Sequence, residues 1–484
     1  MTAEHTGMRM SDARVASLEK FTLGHGATPV PSSSDSADCE LGGVETHSKV
    51  EQGGQFALTH LHDAADPDSP RNWSNKQKWI TVLTASAFGF ITAIASSMLA
   101  PALPVIGKDL AIADQTALQM VLSIFVLAYG VGPLLLGPLS EVYGRVRVMQ
   151  CASTIFLVFN LACGFAQNYP QMLAFRFLAG IGASAPQSLC GGIMADCFSQ
   201  QERGAALRIY TLATLMAPAV GPIMGGIVAA RTTWRWMFWA VSIANAILQI
   251  CAVFLFRESW EPLLLEAKAK KMQQRLDSPA DSSLASVARD LARKLTRAVR
   301  MLLTQPIIIV VAIYTAYLFG LSYLMLSTFA ALFTSPQYYG QSLQDGSLHY
   351  LALAMGYVLG TQATSYFDDW LYQRLKVRYN MEGTPELHMP AIVPATILLP
   401  AGLFMYTVDA YTKYAASAMA ATTTLRSIAG FAFPLFAPNL YDTLKYGWGN
   451  SMLAFFAILL GVPAPWLFWF YGPTMRAKST YAAG

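Results

Sequence analysis

The residues most able to do chemistry in this sequence are charged side chains inside apolar stretches, and both of them are arginines. Arg176 and Arg426 each lie in an apolar run long enough to cross a bilayer. A charged side chain costs about 2.5–3.5 kcal/mol at the centre of such a helix, so its presence indicates a function. Arg426 lies too deep to snorkel easily and is expected to face a cavity. Arg176 lies one and a half turns into its run and could instead snorkel to the outer interface.

Acidic residues and histidines have the opposite distribution, because none occupies the middle of an apolar run. Glu141, Asp196, Asp368 and Asp409 all lie at the edges of such runs. Because the charges inside the apolar runs are only positive, we expect the protein to bind an anionic or neutral small molecule rather than a cationic polyamine. Aromatic and polar residues such as Tyr314 and Tyr317 would suit a neutral amphipathic compound equally well.

Enzyme chemistry has no support in these residues. The sequence contains no paired carboxylates, no metal-ligand spacing among its six cysteines and no nucleophile motif. We therefore predict no catalytic residue, no metal and no cofactor. A net charge of +4 without a basic, aromatic-rich stripe also argues against a nucleic-acid partner.

Eleven apolar runs must position these residues. The chain is 54% hydrophobic and only 13% charged, whereas a soluble domain carries about 25% charged residues. Six runs precede a polar segment: Trp79–Ala100, Ala117–Leu139, Val148–Ala166, Met172–Ala195, Ala205–Ala230 and Trp236–Phe256. Five follow it: Pro306–Phe333, Leu348–Tyr366, Pro390–Tyr406, Tyr414–Ala437 and Met452–Tyr471. The prediction is an all-α, multi-pass membrane protein.

Basic residues between the runs predict the orientation of the chain. They follow the even-numbered runs, at Arg145, Arg203, the segment 268–300 and Arg374, and the positive-inside rule places them and the N-terminus in the cytoplasm. The predicted organisation is a disordered tail over 1–75, a six-helix bundle over 76–258, a cytoplasmic loop over 259–305 and a second bundle over 306–484. The tail could also be a phosphorylated regulatory segment. The loop contains a basic amphipathic helix, which would lie on the membrane or, alternatively, bind a calmodulin-like partner.

The segment GPLSEVYGRVRV after the second run contains the most informative motif. Gly137 would permit close helix approach, Gly144 a tight turn, and Glu141 a charge pair with a basic residue where two bundles meet. The spacing of these residues resembles the signature of the major facilitator superfamily between its second and third helices. The matching positions are Gly137, Ser140, Glu141, Gly144, Arg145 and Arg147. The resemblance implies two helical bundles that rock about a central site, with this motif as a conformational latch.

Two further segments are similar to motifs of the same superfamily. RFLAGIGAS contains Arg176, and APAVGPIMGG resembles the signature of antiporters, although Ala217 replaces its usual first glycine. The antiporter-type positions here are Gly221, Pro222, Gly225 and Gly226. From about Asp66 onward the chain resembles the fungal branch of the 12-spanner drug:proton antiporters. This implies a monomeric exporter of a drug, metabolite or organic acid in the cell membrane, coupled to protons.

The second half departs from that resemblance. The family has twelve spans, yet this chain has five after the loop, and Tyr406 and Val408 are almost adjacent where a tenth helix is expected. We predict that this sequence derives from a mis-spliced gene or is a truncated isoform of an exporter. A solute-sensing receptor with a transporter-like fold, but without net transport, is the alternative from another functional class.

Overall fold

The computed structural model describes residues 69–198, 200–261, 263–264, 296, 299–379, 415–461 and 463. All regular structure in this part of the chain is helical. In the first half the α-helices are α1 (Asn75–Ser97), α2 (Leu103–Asp109), α3 (Gln115–Tyr143), α4 (Arg145–Cys163), α5 (Tyr169–Ala183), α6 (Ala185–Cys197), α7 (Gln200–Arg231) and α8 (Arg235–Leu255). In the second half they are α9 (Pro306–Thr334), α10 (Leu343–Leu348), α11 (Tyr350–Tyr379) and α12 (Ala415–Gly461).

Polar side chains define where three of these helices begin. Ser74 accepts a hydrogen bond from the backbone N–H of Gln77 at the start of α1, and Asp114 accepts two from the first turn of α3. Asn168 caps α5 in the same way through Gln171. Each cap satisfies a backbone N–H that has no partner within its own helix.

The helices confirm most of the predicted runs within a few residues. Six helical segments of the described residues are long and apolar enough to cross a membrane: Asn75–Asp109, Gln115–Tyr143, Arg145–Cys163, Gly204–Arg231, Arg235–Leu255 and Ile308–Thr334. The predicted ninth run (390–406), the Tyr406–Val408 junction, most of the basic loop helix and nearly all of the tail lie outside the described residues.

One predicted run differs from the structure in continuity. The fourth run breaks at Ser184 into α5 and α6, because Pro186 has no N–H to donate to the carbonyl of Gly182. The last two predicted runs correspond to two helical segments of α12, which meet at Lys445, a residue with a non-helical φ of 57° and ψ of 169°. Positions 464–471 of the last run lie outside the described residues.

The helices pack into two halves, each with its own apolar contacts. The first half contains two apolar clusters. One includes Phe125, Phe156 and Phe238, and the other includes Phe88 and Met149. In the second half, α9 packs against α12 through Leu324, Ala437, Tyr441 and Leu453. These clusters define the two bundles.

Small residues allow the two bundles to touch closely where α3 meets α12. A Cβ atom added at Gly130 would lie 2.4 Å from the Cβ of Ser427, and one at Gly430 would lie 3.0 Å from a methyl of Val126. Thr424 reinforces this contact by donating a hydrogen bond of 3.1 Å to the backbone carbonyl of Gly130. The site between the halves lies beside this seam.

Candidate functional site: a polar cluster between the two bundles

Arg426 lies in the first segment of α12, before Lys445, and interacts with tyrosines from three other helices. Its guanidinium interacts electrostatically with Tyr129 of α3, Tyr210 of α7 and Tyr323 of α9. It also stands 4.7 Å from the ring centre of Phe319. Two of the tyrosines belong to the first bundle, whereas Tyr323 and Arg426 belong to the second. The cluster therefore spans the boundary between the halves.

The cluster continues into α1 through a hydrogen bond between the bundles. The hydroxyl of Tyr323 lies 2.8 Å from that of Ser96, and both residues are buried. Thr92, one turn earlier on α1, interacts with the side chain of Tyr129 and donates its hydroxyl hydrogen to the carbonyls of Phe88 and Gly89. Rocking of the halves would have to break the Ser96–Tyr323 bond, since its two partners are in different bundles.

Arg426 keeps unused hydrogen-bonding capacity. Its Nε atom is buried and has no hydrogen-bond partner among the described residues, although the side chain as a whole is only partly buried. A buried donor without a partner costs about 1–3 kcal/mol, and more when it is charged. A ligand that supplied an acceptor at this point would recover that free energy.

Arg176 lies in a different environment, inside the first bundle. It is fully buried, so its guanidinium does not snorkel to the outer interface. Nη1 donates to the carbonyl of Ala95 at 3.0 Å and Nε to the carbonyl of Val121 at 3.3 Å, while the ring of Phe125 lies 4.3 Å away. Only Nη2 has no partner in the described part of the chain. These contacts join α5 to α1 and α3.

Tyr314 and Tyr317, the predicted aromatic lining, are not part of the cluster around Arg426. The hydroxyl of Tyr317 donates to the backbone carbonyl of Leu453 on α12, and its ring packs edge-on against Phe433. Tyr314 is buried, and its hydroxyl has no hydrogen-bond partner among the described residues. The structure therefore places Tyr317 at a contact within the second bundle.

Gly144 confirms the tight turn predicted between α3 and α4. Its φ of 98° and ψ of 152° fall in a region that is nearly exclusive to glycine. A Cβ atom there would also lie 2.5 Å from a carboxylate oxygen of Glu258. Gly137 differs from the prediction, because no described neighbour lies within 4 Å of a Cβ atom placed at that position.

Arg145 connects this turn to the ends of α6 and α8. Its Nε lies 3.3 Å from a carboxylate oxygen of Asp196, its Nη1 donates to Ser140, and its guanidinium stacks on Trp260 at 4.6 Å. Glu258 accepts from the backbone N–H groups of Arg145 and Val146, where a carboxylate is stabilised by the start of α4. Among the described residues, Arg145 contacts Ser140, Asp196 and Glu258 of the first bundle and Trp260 just after it, whereas Arg147 is exposed.

Asp196 lies just past the predicted fourth span, and its environment makes it a weak acid. Burial raises its pKa to about 6, although the neighbouring Arg145 acts in the opposite direction and Glu258 and Glu261 add to the rise. The carboxyl is thus mainly ionised at pH 7 and becomes protonated as the pH falls through about 6. The ion pair with Arg145 weakens over the same range.

The antiporter-type glycines form the contact between α7 and α1. A Cβ atom at Gly221 would lie 2.4 Å from the hydroxyl of Ser97, and one at Gly225 would lie 2.0 Å from the carbonyl of Met98. Gly226 approaches Ser347 of α10 in the same way, at 2.3 Å. Pro222 lies inside α7. The close helix packing expected from these small residues is therefore present.

Sequence reasoning missed most of the partners that surround the arginines. Tyr129, Tyr210, Tyr323 and Ser96 lie on four different helices, so no local spacing connects them. Asp196 and Glu258 lie in the segments ADCFSQQERGAALR and RESWEP, which carried the family resemblance without suggesting a role. A polar residue inside an otherwise apolar helix was the available signal for the tyrosines.

Two helical bundles that meet around a buried polar cluster define the class: this is an integral membrane transporter and not an enzyme. The profile of the Major Facilitator Superfamily matches residues 85–434, and the chain belongs to that family. It shares the fold of the proton:xylose symporter XylE of E. coli, with a TM-score of 0.56 at 13% identity over 82% of this chain and 96% of that one.

Fungal proteins are similar over nearly the whole length. The chain is 40% identical to the efflux pump vrtL of Penicillium aethiopicum, over 87% of this chain and 90% of the relative. It is 35% identical to the MFS-type transporter oryF of Aspergillus oryzae, over 87% and 94%. As a transporter of this family, the protein is embedded in a membrane and carries a small molecule.

These alignments contain more positions than this chain supplies. The alignment with vrtL spans 455 positions, but 87% of 484 residues is about 421, which leaves about 34 positions without a counterpart here. The alignment with oryF spans 459 positions and leaves about 38. A membrane-spanning helix needs roughly 20 residues, so the deficit is large enough for one helix and a loop.

Proposed function

We propose that this protein exports a small organic molecule, anionic or neutral, by alternating access coupled to protons. The observation that carries the proposal is the cluster of Arg426 and three tyrosines at the boundary between the halves. A group bound there touches both bundles, so its binding depends on how they are arranged. The name of vrtL, an efflux pump, supports the outward direction.

The cell membrane with a cytoplasmic N-terminus is the proposed location, and a monomer the proposed functional unit. The distribution of Lys and Arg supports the orientation. In this orientation the turn at Gly144 and the Arg145–Asp196 pair face the cytoplasm. The identity of the proton-carrying group is not part of the proposal.

Uptake into vesicles tests the proposal directly. Proteoliposomes containing the full chain, with an acidic lumen, should accumulate radiolabelled 2-naphthoate or 2-naphthamide faster than empty vesicles. A protonophore should abolish the difference, because the pH gradient drives the exchange. Binding without uptake of either probe would favour the solute-sensing receptor instead.

Replacing Arg426 with Ala in a cell-based assay is the matching test of the site. We expect export of the same probes to be lost while the amount of protein at the cell surface is unchanged, since the guanidinium lies away from the apolar contacts that hold the second bundle together. Surface biotinylation provides the control. Export at near wild-type rate would remove Arg426 from the cargo site.

A further inference from the structure

Arg426 has a positive charge, and no acidic side chain is among the described groups that act on it. The ionisable groups that act on it in the described part of the chain are the three tyrosines, which are neutral near pH 7. Asp109, Asp114, Asp196, Glu258 and Asp345 lie at or near helix ends, whereas Asp368 and Asp369 lie inside α11 and Asp442 lies inside α12. A buried charge without a partner is unfavourable by several kcal/mol. Within the described part of the chain, no carboxylate is among the groups that act on Arg426, which leaves its guanidinium available to an anionic ligand.

Arg176 does not provide a second site of the same kind. Two of its three nitrogens already donate to backbone carbonyls, of Ala95 and Val121, and the side chain has no exposed surface. Arg426 instead has partial exposure, as does Tyr210 beside it. Of the two arginines, Arg426 is the one that a solute can reach.

The three tyrosines match the needs of an acidic group. Each phenol hydroxyl can donate one hydrogen bond, and an ionised carboxylate accepts several at once. Ser96 donates to the carbonyl of Ala93, so Tyr323 donates to Ser96 and would exchange this bond for one to the ligand. Tyr323 is held in place by Ser96 of α1, and the ring of Tyr129 stacks on Phe125 at 6.2 Å between ring centres. Gly89 leaves room for the ring of Tyr210, since a Cβ atom there would lie 3.0 Å from the Cε2 of that ring. The donors are thus positioned by packing before any ligand arrives.

We propose that Arg426, Tyr129, Tyr210 and Tyr323 form a head-group site for one acidic group, and that the cargo is an organic monoanion. The acid is a carboxylate, and Phe319 offers an aromatic face beside it. One accessible guanidinium neutralises one negative charge, which favours a monoacid over a dicarboxylate. The inference rests on the proposed transport function and adds the charge class of the cargo and three specificity-determining tyrosines.

Thermal stabilisation of the purified full chain by three matched probes tests the charge preference. We expect 2-naphthoate to bind about tenfold more tightly than 2-naphthamide, as one charge-assisted hydrogen bond predicts. Naphthalene-2,6-dicarboxylate should bind no more tightly than 2-naphthoate. Equal binding of acid and amide, much tighter binding of the dicarboxylate, or no stabilisation by either acid would overturn the proposal.

Variants test whether the preference for the acid over the amide depends on Arg426 and the three tyrosines. Arg426→Gln should abolish the difference between acid and amide, Arg426→Lys should keep part of it, and Arg231→Gln, at the exposed end of α7, should keep all of it. Replacing a tyrosine of the cluster with phenylalanine preserves the shape of the side chain. Binding of the acid should become several-fold weaker, and binding of the amide should not change, in each of the variants Tyr129→Phe, Tyr210→Phe and Tyr323→Phe. The exposed Tyr338 provides the control variant Tyr338→Phe. A full acid preference in the three cluster variants would exclude the tyrosines from the site.

Uptake measurements distinguish a failure of the head-group site from a failure of the transport proposal. If the acid binds through Arg426 but is not transported, the head-group site stands and the transport proposal fails. If vesicles transport the amide as well as the acid, and Arg426→Gln leaves both rates unchanged, transport stands and the head-group site fails.

Discussion

At the scale of single residues, two arginines with the same sequence signal have different surroundings. Both are inside apolar helices, and both carry a buried nitrogen without a hydrogen-bond partner among the described residues. Arg176 is enclosed by α1 and α3 and uses two donors on backbone carbonyls. Arg426 faces hydroxyl groups at the boundary between the bundles. Their hydrogen-bond partners and exposure indicate that Arg176 joins helices, whereas Arg426 is available to a ligand. Their positions within the apolar runs do not distinguish these two roles.

Arg145 controls the conformational cycle in our interpretation, and its replacement with Ala tests this. We expect slower transport with little change in ligand binding, because its contacts with Asp196 and Trp260 lie at the end of the first bundle and away from the cargo cluster. Uptake rate and thermal-shift affinity should be measured on the same preparation. Loss of binding with unchanged turnover per bound ligand would contradict the latch interpretation.

Asp196, the ion-pair partner of Arg145, supplies the control for that experiment. If the ion pair is the relevant contact, Asp196→Asn should slow transport to a similar degree, and the double variant should be no slower than either single one. Arg147→Ala should have a smaller effect, since Arg147 is exposed. Additive effects of the two substitutions would show that Arg145 acts through other contacts.

At the scale of the helices, the contact between α1 and α7 depends on the absence of side chains. Gly221 and Gly225 place the backbone of α7 against Ser97 and Met98 at the end of α1. Beside this contact, Gly226 brings α7 against Ser347 of the second bundle. A small outward shift of α7 would therefore disturb both the first bundle and its boundary with the second.

Replacing Gly225 with Ala tests this contact. The added methyl would lie 2.0 Å from the carbonyl of Met98, and overpacking of this kind costs about 1–3 kcal/mol. We expect a lower melting temperature in detergent and slower transport. Gly204→Ala in the same helix is the control, since no described atom lies within 4 Å of that position. Equal melting temperatures for the two variants would show that α7 can shift without penalty.

At the scale of the whole molecule, the second half is shorter than the family pattern. The vrtL and oryF alignments leave about 34 and 38 positions without a counterpart in this chain, and the predicted gap falls between Tyr406 and Val408, outside the described residues. With eleven spans the basic end at Arg476 and Lys478 would lie outside the cell, against the positive-inside rule. We propose that a tenth helix is missing and that the intact parent is the working exporter.

Sequencing the mature transcript tests this proposal. We expect a message with additional codons at the Tyr406–Val408 junction, enough for a helix of roughly 20 residues and its loop. A chain with the corresponding vrtL segment inserted there should reach the cell surface in larger amounts than the present one. If the mature message encodes the junction as it stands, and its product transports 2-naphthoate, the proposal fails.

Much of the fold could be predicted from the sequence, because crossing a bilayer imposes a strong and local constraint. Apolar runs of sufficient length had to become helices, since backbone groups in lipid have no other partners. Spacing alone also indicated the turn at Gly144 and the close packing at Gly225. The break at Ser184 went unpredicted, although Pro186 is a local signal for it.

The composition of the site required the tertiary structure. Arg426 could be recognised as an exceptional residue, but its partners Tyr129, Tyr210 and Tyr323 come from helices separated by up to about 300 positions along the chain. A tyrosine in an apolar helix has the same local pattern whether it faces lipid, as exposed Tyr366 could, or a buried cation. Which face of each helix meets the opposite bundle depends on the packing of both halves, and that information is distributed over the whole sequence.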